Sequence, residues 1–266
     1  MTIFDEWWLP IEQLVKEKQP LTFFQAFYKE LYMNALQDDR WRLYLNGLWV
    51  TLKVSFFAIL FGTLLGMLLA VLRLPEVTEY RYRGSNPLKR VATALLRFFS
   101  GFAKFYIDLI RGTPLLLQVL IINFGIFGSI RIDKVIIGVI ACGLNSAAYV
   151  AEIVRGGILS VDRGQNEAGR SLGFSGPATM MYIILPQAAK SALPALCNEF
   201  IALIKETSIL SYIALTELTK AGDYIRSRTY SAFTPYIISG LLYLGLTLIL
   251  TKLIGKLERR LRASDH

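Results

Sequence analysis

The chain has 266 residues, of which 54% are hydrophobic and 18% charged, and its formal net charge is +9. Soluble domains carry about 25% charged residues, and here several long runs are nearly free of charge, as membrane-spanning helices require. Basic residues cluster beside the apolar runs without interleaved aromatics, which argues against a nucleic-acid partner. The single histidine is His266, so we expect no histidine-based metal site, catalytic triad or cofactor.

Residues 1–42 are polar and amphipathic, and three of the four tryptophans stand there among charged residues. Because tryptophan favours the membrane–water interface, this segment predicts one or two surface helices at that level. It holds seven acidic and five basic residues. No basic segment followed by an apolar core begins the chain, so no cleavable signal is expected.

Five apolar segments follow, and each is long enough for a helix across a hydrocarbon core of about 30 Å. They cover about 45–72, 92–128, 135–159, 188–213 and 233–254. In the first, Gly62 and Gly66 form a GxxxG pattern, which permits a close helix contact. In the second, Pro114 predicts a kink.

The basic residues predict the orientation of the spans. Lysine and arginine are in excess in 73–90 and in the C-terminal tail, and 155–190 adds four more. Five spans place all three segments on one side, and basic segments are retained on the cytoplasmic side. The N-terminus is therefore predicted outside and the C-terminus in the cytoplasm.

A polar stretch between the third and fourth spans, NEAGRSLGFSGPATMMYIILPQA, starts at Asn166. It predicts a helix from Asn166 to Leu172, a stop at Gly173, a second helix start at Ser175 and a break at Pro186. Two short helices separated by a glycine form a compact projection. Spanning a membrane does not require one, so it indicates a docking surface for a cytosolic partner.

This stretch resembles the EAA loop of ABC-importer permeases. The elements of that pattern fall here at the expected spacings: Glu167, Ala168, Gly173, Ile183, Leu185 and Pro186. The third position is Gly169 instead of alanine. Glycine is a weaker helix former by ~1 kcal/mol, which predicts a slightly looser helix.

The resemblance covers about residues 45–263, including segments similar to the polar amino acid branch of these permeases (His/Glu/Gln/Arg/opine type). Among them are FYIDLIRGTPLLLQ at 105–118 and NSAAYVAEIVRGGI at 145–158. It implies an all-α, polytopic fold with five transmembrane helices, of the type I ABC importer (MetI-like) kind. The implied division is a transmembrane domain at 43–263, with its coupling loop at about 160–186, after an N-terminal extension at 1–42.

The resemblance also implies a transport subunit of a bacterial inner membrane and not an enzyme. Its partners would be a cytosolic ABC ATPase dimer, a second permease (a copy or a paralogue) and an extracytoplasmic amino acid-binding protein. The residues expected to couple to the ATPase are Gln165, Glu167, Ala168, Gly169, Leu172 and Gly173. We expect Glu167 at a helix start, where a carboxylate is favoured, and Gly173 at a turn where a side chain would clash.

Polar residues inside the spans are the candidates for a substrate pathway. Asn145, Tyr149 and Glu152 are spaced i, i+4 and i+7, so they share one face of the third helix. Such a face suits either the ammonium and side chain of an amino acid or interhelical hydrogen bonds. Further candidates are Thr113, Gln118, Thr207 and Ser208. Pro114 is expected to leave the carbonyl of Ile110 without its helical partner.

Two other functions fit the sequence less well. An ATP-independent secondary transporter or channel would not need the coupling loop, and five spans without an inverted repeat do not favour one. An intramembrane enzyme would need a catalytic motif, and the sequence has no HExxH, nucleophile elbow or Walker A loop. Hydrolysis of ATP is therefore expected in a separate subunit.

Overall fold

The computed structural model describes residues 3–74 and 87–263, and the side chains of 6–74 and 87–260. The described residues are helical and contain no strand. Most of the predicted basic connector at 73–90 lies outside them. The helices in chain order are α1 Ile3–Lys16, α2 Phe23–Leu31, α3 Trp41–Leu72, α4 Pro87–Arg111, α5 Leu115–Leu120, α6 Lys134–Leu159, α7 Arg163–Ser171, α8 Gly176–Thr179, α9 Leu185–Glu206, α10 Leu218–Thr229 and α11 Thr234–Ala263.

Short segments of wider or tighter helix join several of these elements. Three π-helical turns span Tyr32–Leu36, Ile121–Ile126 and Met180–Ile184. Two 3₁₀ segments span Gln37–Asp39 and Thr207–Ile213. The chain is therefore helical without a gap from Gly176 through α9 to Ile213.

Within the described residues, α3, α6 and α11 are long and apolar enough to cross a membrane. A fourth span is present if α4 and the helix Leu115–Ile126, which form a bent pair, cross the membrane together. The bend between the two parts is 107°, at the predicted proline: Pro114 is extended (φ −64°, ψ 135°) and precedes α5. The predicted span at 188–213 coincides with α9 and the 3₁₀ segment after it. That region is more polar, with charges at Lys190, Glu199, Lys205 and Glu206.

Among the described helices, α3 and α6 share the most extensive contact, and small residues line it. A methyl group on Gly66 would lie 2.7 Å from Cβ of Val150, and one on Gly62 would lie 3.1 Å from the carbonyl oxygen of Gly143. Side chains larger than hydrogen do not fit at either position without movement. The predicted GxxxG contact is therefore present, and we call it the α3–α6 seam.

The bundle core extends from this seam. Its central cluster joins α3, α5, α6, α9 and the 3₁₀ segment, through fully buried side chains such as Val54, Val119, Leu203 and Leu210. A separate cluster, including Ile158, Ile184 and Ala188, packs the end of α6 against the start of α9. The second cluster lies directly under α7 and supports the predicted projection.

At the opposite end of the bundle, Glu217 is fully buried and begins α10. Its carboxylate accepts hydrogen bonds from the backbone nitrogens of Thr219 and Lys220, at 2.8 and 2.7 Å, and from the hydroxyl of Tyr243 at 2.8 Å. Burial raises the pKa of this carboxyl above its ordinary value. The two backbone donors belong to α10 itself, and the bond from Tyr243 joins the start of α10 to α11.

The N-terminal segment also packs at this end. Thr22 caps α2 in a reciprocal capping box with Gln25. Trp8 stacks on Tyr32 with ring centroids 4.7 Å apart, which joins α1 to the π-helical turn after α2. Two helices, α1 and α2, are thus present in the predicted segment, and their place at the membrane–water interface stays a prediction.

Candidate functional site

The projection between α6 and α9 consists of α7, the turn at Gly173 and α8. Asp162 caps α7, accepting a hydrogen bond from the backbone nitrogen of Gly164 at 2.7 Å, so the helix begins four residues before Glu167. The expectation that Glu167 lies at a helix start is wrong. The capping oxygen that satisfies the free amides belongs to Asp162, and Glu167 is an exposed residue in the middle of α7.

The predicted end of α7 and the start of α8 are confirmed. Gly173 has φ +89°, the backbone nitrogen of Phe174 bonds back to the carbonyl of Gly169 at 3.1 Å, and Ser175 caps α8. Apart from its chain neighbours, no heavy atom in the described part of the chain lies within 4 Å of a Cβ built on Gly173. The expected clash is therefore absent, and glycine is required by the positive φ alone.

Gly169 differs from its neighbours in the projection because it is buried. A methyl group there would lie 2.8 Å from Cδ1 of Ile183 and 2.8 Å from Cγ2 of Thr179. Close approach between α7 and the segment that follows α8 thus explains glycine at the position where the EAA pattern has alanine. Gly169 thus lies on the side of α7 that packs against the bundle, and not on its exposed side.

The other five predicted coupling residues are exposed: Gln165, Glu167, Ala168, Leu172 and Gly173. Leu172 is 78% exposed and so adds a large apolar side chain to the outer surface of the projection. Nearby Met181 and Tyr182 are also largely exposed. The amide nitrogen of Gln187 lies 3.3 Å from Oε1 of Gln165, which ties the helix to α9.

The predicted break at Pro186 is absent. The chain passes from the π-helical turn Met180–Ile184 directly into α9, with Pro186 near the N-terminus of that helix. Proline is tolerated there because a residue in the first turn needs no amide hydrogen for the helical ladder. The projection is thus joined to α9 by continuous helix.

Three of the predicted pathway residues form one hydrogen-bonded group. The amide nitrogen of Asn145 on α6 lies 3.0 Å from Oε1 of Gln118 on α5. The amide nitrogen of Gln118 in turn donates to the hydroxyl of Thr113 at 2.9 Å and to the carbonyl of Ile110 at 2.8 Å. The carbonyl that Pro114 leaves without its helical partner is therefore satisfied by a side chain, and the freed backbone is not open to a ligand.

The other two residues of the α6 face form a separate, charged group. Glu152 accepts a hydrogen bond from Arg155 at 2.7 Å, and Arg111 of α4 lies 3.9 Å from the same carboxylate. The guanidinium of Arg111 lies 5.7 Å from the ring centroid of Tyr149. Both Arg111 and Arg155 were missed by the sequence analysis. The i, i+3 spacing of Glu152 and Arg155 was visible in the sequence, whereas the approach of α4 depends on the tertiary fold.

Thr207 and Ser208 are adjacent but have different surroundings. Thr207 is buried and donates to the carbonyl of Ile204 at 2.7 Å, as a local helix contact. Ser208 lines a cavity of ≈ 530 Å³ at the end of the bundle opposite α7, together with Tyr212, Lys220, Asp223 and Tyr236. The sequence analysis did not identify this cavity.

Charged groups on α10 line one wall of that cavity. Asp223 accepts hydrogen bonds from Lys220 at 2.9 Å, from Arg226 at 3.1 Å and from the hydroxyl of Tyr236 at 3.1 Å. The bond from Lys220 is the largest of the causes that lower the pKa of the Asp223 carboxyl. Of these charged groups, Lys220 and Asp223 line the cavity, and their charges compensate each other.

The described helices form a bundle with membrane-spanning members and carry a short, exposed helix that ends at a glycine turn. The model of the family "Binding-protein-dependent transport system inner membrane component" matches residues 91–263. The chain belongs to this family. It is a multi-pass inner membrane subunit of an ABC transporter, and hydrolysis of ATP belongs to a separate ATPase subunit.

Relatives from several bacteria support the assignment. The arginine transport system permease protein ArtQ of Bacillus subtilis is 37% identical over 223 residues, which cover 83% of this chain and 93% of the relative. The probable glutamine ABC transporter permease protein GlnM of the same organism is 36% identical, covering 85% and 96%. The glutamine permease GlnP of Escherichia coli K12 is 40% identical over 160 residues, covering 59% and 73%.

Two solved structures share the fold. One, described as an amino acid ABC transporter with histidines, is 42% identical with a TM-score of 0.68, covering 82% of this chain and 94% of its own. The MetNI methionine ABC transporter, at 17% identity and a TM-score of 0.68, covers 85% and 99%. The fold is therefore that of a type I importer permease, as the sequence predicted.

Proposed function

We propose that this permease imports polar amino acids and that the projection at α7 couples it to its ATPase. The observation that carries the coupling role is the exposed apolar side chain of Leu172 beside Glu167 and Ala168, at the tip of a helix that spanning does not require. Relatives named for arginine and glutamine transport support the substrate class.

The geometry suits transmission of force. Gly169 holds α7 against the segment 180–184, and that segment continues as helix into α9. A displacement of α7 by an ATPase therefore reaches the bundle core through packed helices instead of a flexible linker. Glu167 supplies an exposed carboxylate for a basic residue on the ATPase.

We place α7 and the C-terminus in the cytoplasm, on the basic residues of 73–90, 155–190 and the C-terminal tail. The cavity at Ser208 then lies on the extracytoplasmic side, where a binding protein would deliver the amino acid. Two copies of the chain, or one copy and a paralogue, would assemble with an ATPase dimer.

The substrate pathway is proposed along α6, from the cavity at Ser208 past Asn145 and Gln118 to Tyr149 and Glu152. These residues already bond one another or the arginines 111 and 155. Passage of a substrate therefore requires it to replace some of these contacts. The charged groups of Glu152, Arg111 and Arg155, along this pathway, could pair with the ammonium and the carboxylate of an amino acid.

The test uses a photoactivatable cross-linking residue at position 172 in membranes that contain the complete transporter. We expect capture of the ATPase from position 172 and none from the matched control position 212, since Tyr212 is 68% exposed at the opposite end of the bundle. Failure to capture an ATPase from position 172, or capture from 212, would contradict the coupling role.

Transport itself is tested in proteoliposomes with the ATPase and a binding protein. We expect uptake of a polar amino acid to need ATP and to be lost in Gly173→Trp, while the protein remains in the membrane. Uptake without ATPase and nucleotide would instead support a secondary transporter or channel.

A further inference from the structure

Helix α2, in the N-terminal segment, has an exposed aromatic face. It also makes a polar contact with the spanning bundle. Phe23, Phe24 and Phe27 are 79, 80 and 61% exposed. Their spacing puts them on one side of a single turn and a half of helix. Gln25, Tyr28 and Lys29 are half-buried on the other side. An exposed cluster of this kind indicates a surface that is covered in the working protein.

The polar contact joins α2 to the turn between α10 and α11. The carboxylate of Glu30 accepts hydrogen bonds from Ser231 at 2.7 Å and from Thr234 at 2.8 Å. Asn34, which is 1% exposed, accepts one from Thr229 at 2.8 Å and donates to Glu30 at 3.1 Å. We call these five side chains the N-terminal latch.

The latch fixes the level of α2 relative to a bilayer. Thr234 is the first residue of the spanning helix α11, and Trp41, soon after the latch, begins the spanning helix α3. A nine-residue helix is about 14 Å long, so every residue of α2 lies within about that distance of the latch at the start of α11. Phe233 and Trp41 are exposed at these starts, as expected of an aromatic belt.

We propose that α2 is a membrane-surface anchor. Its phenylalanine face inserts into the headgroup region of the lipid bilayer, and the latch holds the α10–α11 turn to that anchored helix. Lipid is the occupant that the position selects, because phenylalanine at this depth meets the apolar boundary of the bilayer. The anchor depends only on the chain spanning a membrane and not on the proposed coupling or substrate.

The insertion is tested with nitroxide labels on the full chain in lipid nanodiscs, after replacement of Cys142 and Cys197 by alanine. We expect the ratio of oxygen to nickel-chelate accessibility to be several-fold higher for a label in Phe24→Cys than in the control Gln19→Cys, an exposed polar site in the same segment. Equal ratios would overturn the proposal. Protection of position 24 from both reagents would also overturn it, since it would indicate burial against a second copy.

The latch is tested separately by hydrogen exchange of residues 229–234. In Glu30→Ala we expect exchange to accelerate about tenfold or more, the factor that follows from losing hydrogen bonds to a charged group. The control Glu12→Ala removes a carboxylate whose ion pair is with Lys16 on α1, and it should leave that exchange unchanged. Unchanged exchange in Glu30→Ala would show that the latch does not hold the turn.

Discussion

Gln118 and Ile110 lie on opposite sides of the break in the second span, and the side-chain nitrogen of Gln118 is 2.8 Å from the carbonyl oxygen of Ile110. The bond replaces the helical contact that Pro114 removes. Because the oxygen of Gln118 also accepts from Asn145, this side chain joins the bent pair to α6.

Replacing Gln118 with leucine should therefore destabilise the protein. The substitution leaves the Ile110 carbonyl and the Asn145 amide without their partner, at about 1–3 kcal/mol for each buried group. Thermal unfolding in detergent measures the loss. The control Thr113→Val removes one contact of Gln118 but keeps the bond to Ile110, so its effect should be clearly smaller. Equal destabilisation by both variants would contradict this role.

Gly169→Ala tests the close approach of α7 to the bundle. The added methyl group must displace Ile183 or Thr179, and overpacking of this kind costs about 1–3 kcal/mol. Shortening Ile183 to valine in the same chain should recover part of the loss. A double-mutant cycle measures the interaction between the two positions; strictly additive effects would show that Ile183 does not set the limit.

At Gly173 we expect backbone conformation, and not side-chain volume, to decide the outcome. With φ +89° and open space around the Cβ position, Gly173→Ala and Gly173→Leu should cost similar amounts, about 1–2 kcal/mol. Asparagine, which tolerates positive φ better, should cost less. Hydrogen exchange of α7 reports the local stability. A loss that grows steadily with side-chain size would contradict this explanation.

The Asp223 cluster predicts a dependence on pH. Since the folded state lowers the pKa of Asp223 below its ordinary value of 3.8, the carboxylate stabilises the fold above that value. This contribution is lost as the pH falls through the lowered pKa. The side chains are partly exposed, so the effect is below about 1 kcal/mol.

Unfolding midpoints of the parent protein and Asp223→Asn, compared from neutral to acidic pH, measure this contribution. The parent should be more stable at neutral pH, and the difference should shrink on acidification. A difference that is constant with pH would assign the effect of the substitution to something other than charge.

Much of the fold could be predicted from the sequence, because long apolar runs and proline determine the structure of the segment in which they occur. The bounds of α6, the bend at Pro114 and the glycine turn at Gly173 all follow from periodicity or from a single residue type. The GxxxG contact was predicted as well, although only tertiary packing selects which partner helix it meets. Here that partner is α6.

The errors and omissions have two origins. Asp162 caps α7 from the position just before it, and Pro186 lies in the first turn of α9, where proline is tolerated; both signals are local and were overlooked. The charged group around Glu152 includes Arg111 from another helix. No pattern within one segment contains that information.

The α3–α6 seam has a mechanical consequence. The backbones of α3 and α6 approach closely at Gly62 and Gly66. If the two helices slid along each other, larger side chains would come to these positions and collide with the facing helix. We therefore expect α3 and α6 to move together as a rigid pair, and the bend at Pro114 and the turn at Gly173 to accommodate changes in the positions of other helices. Stiffening the backbone at either of these two positions should then restrict such changes.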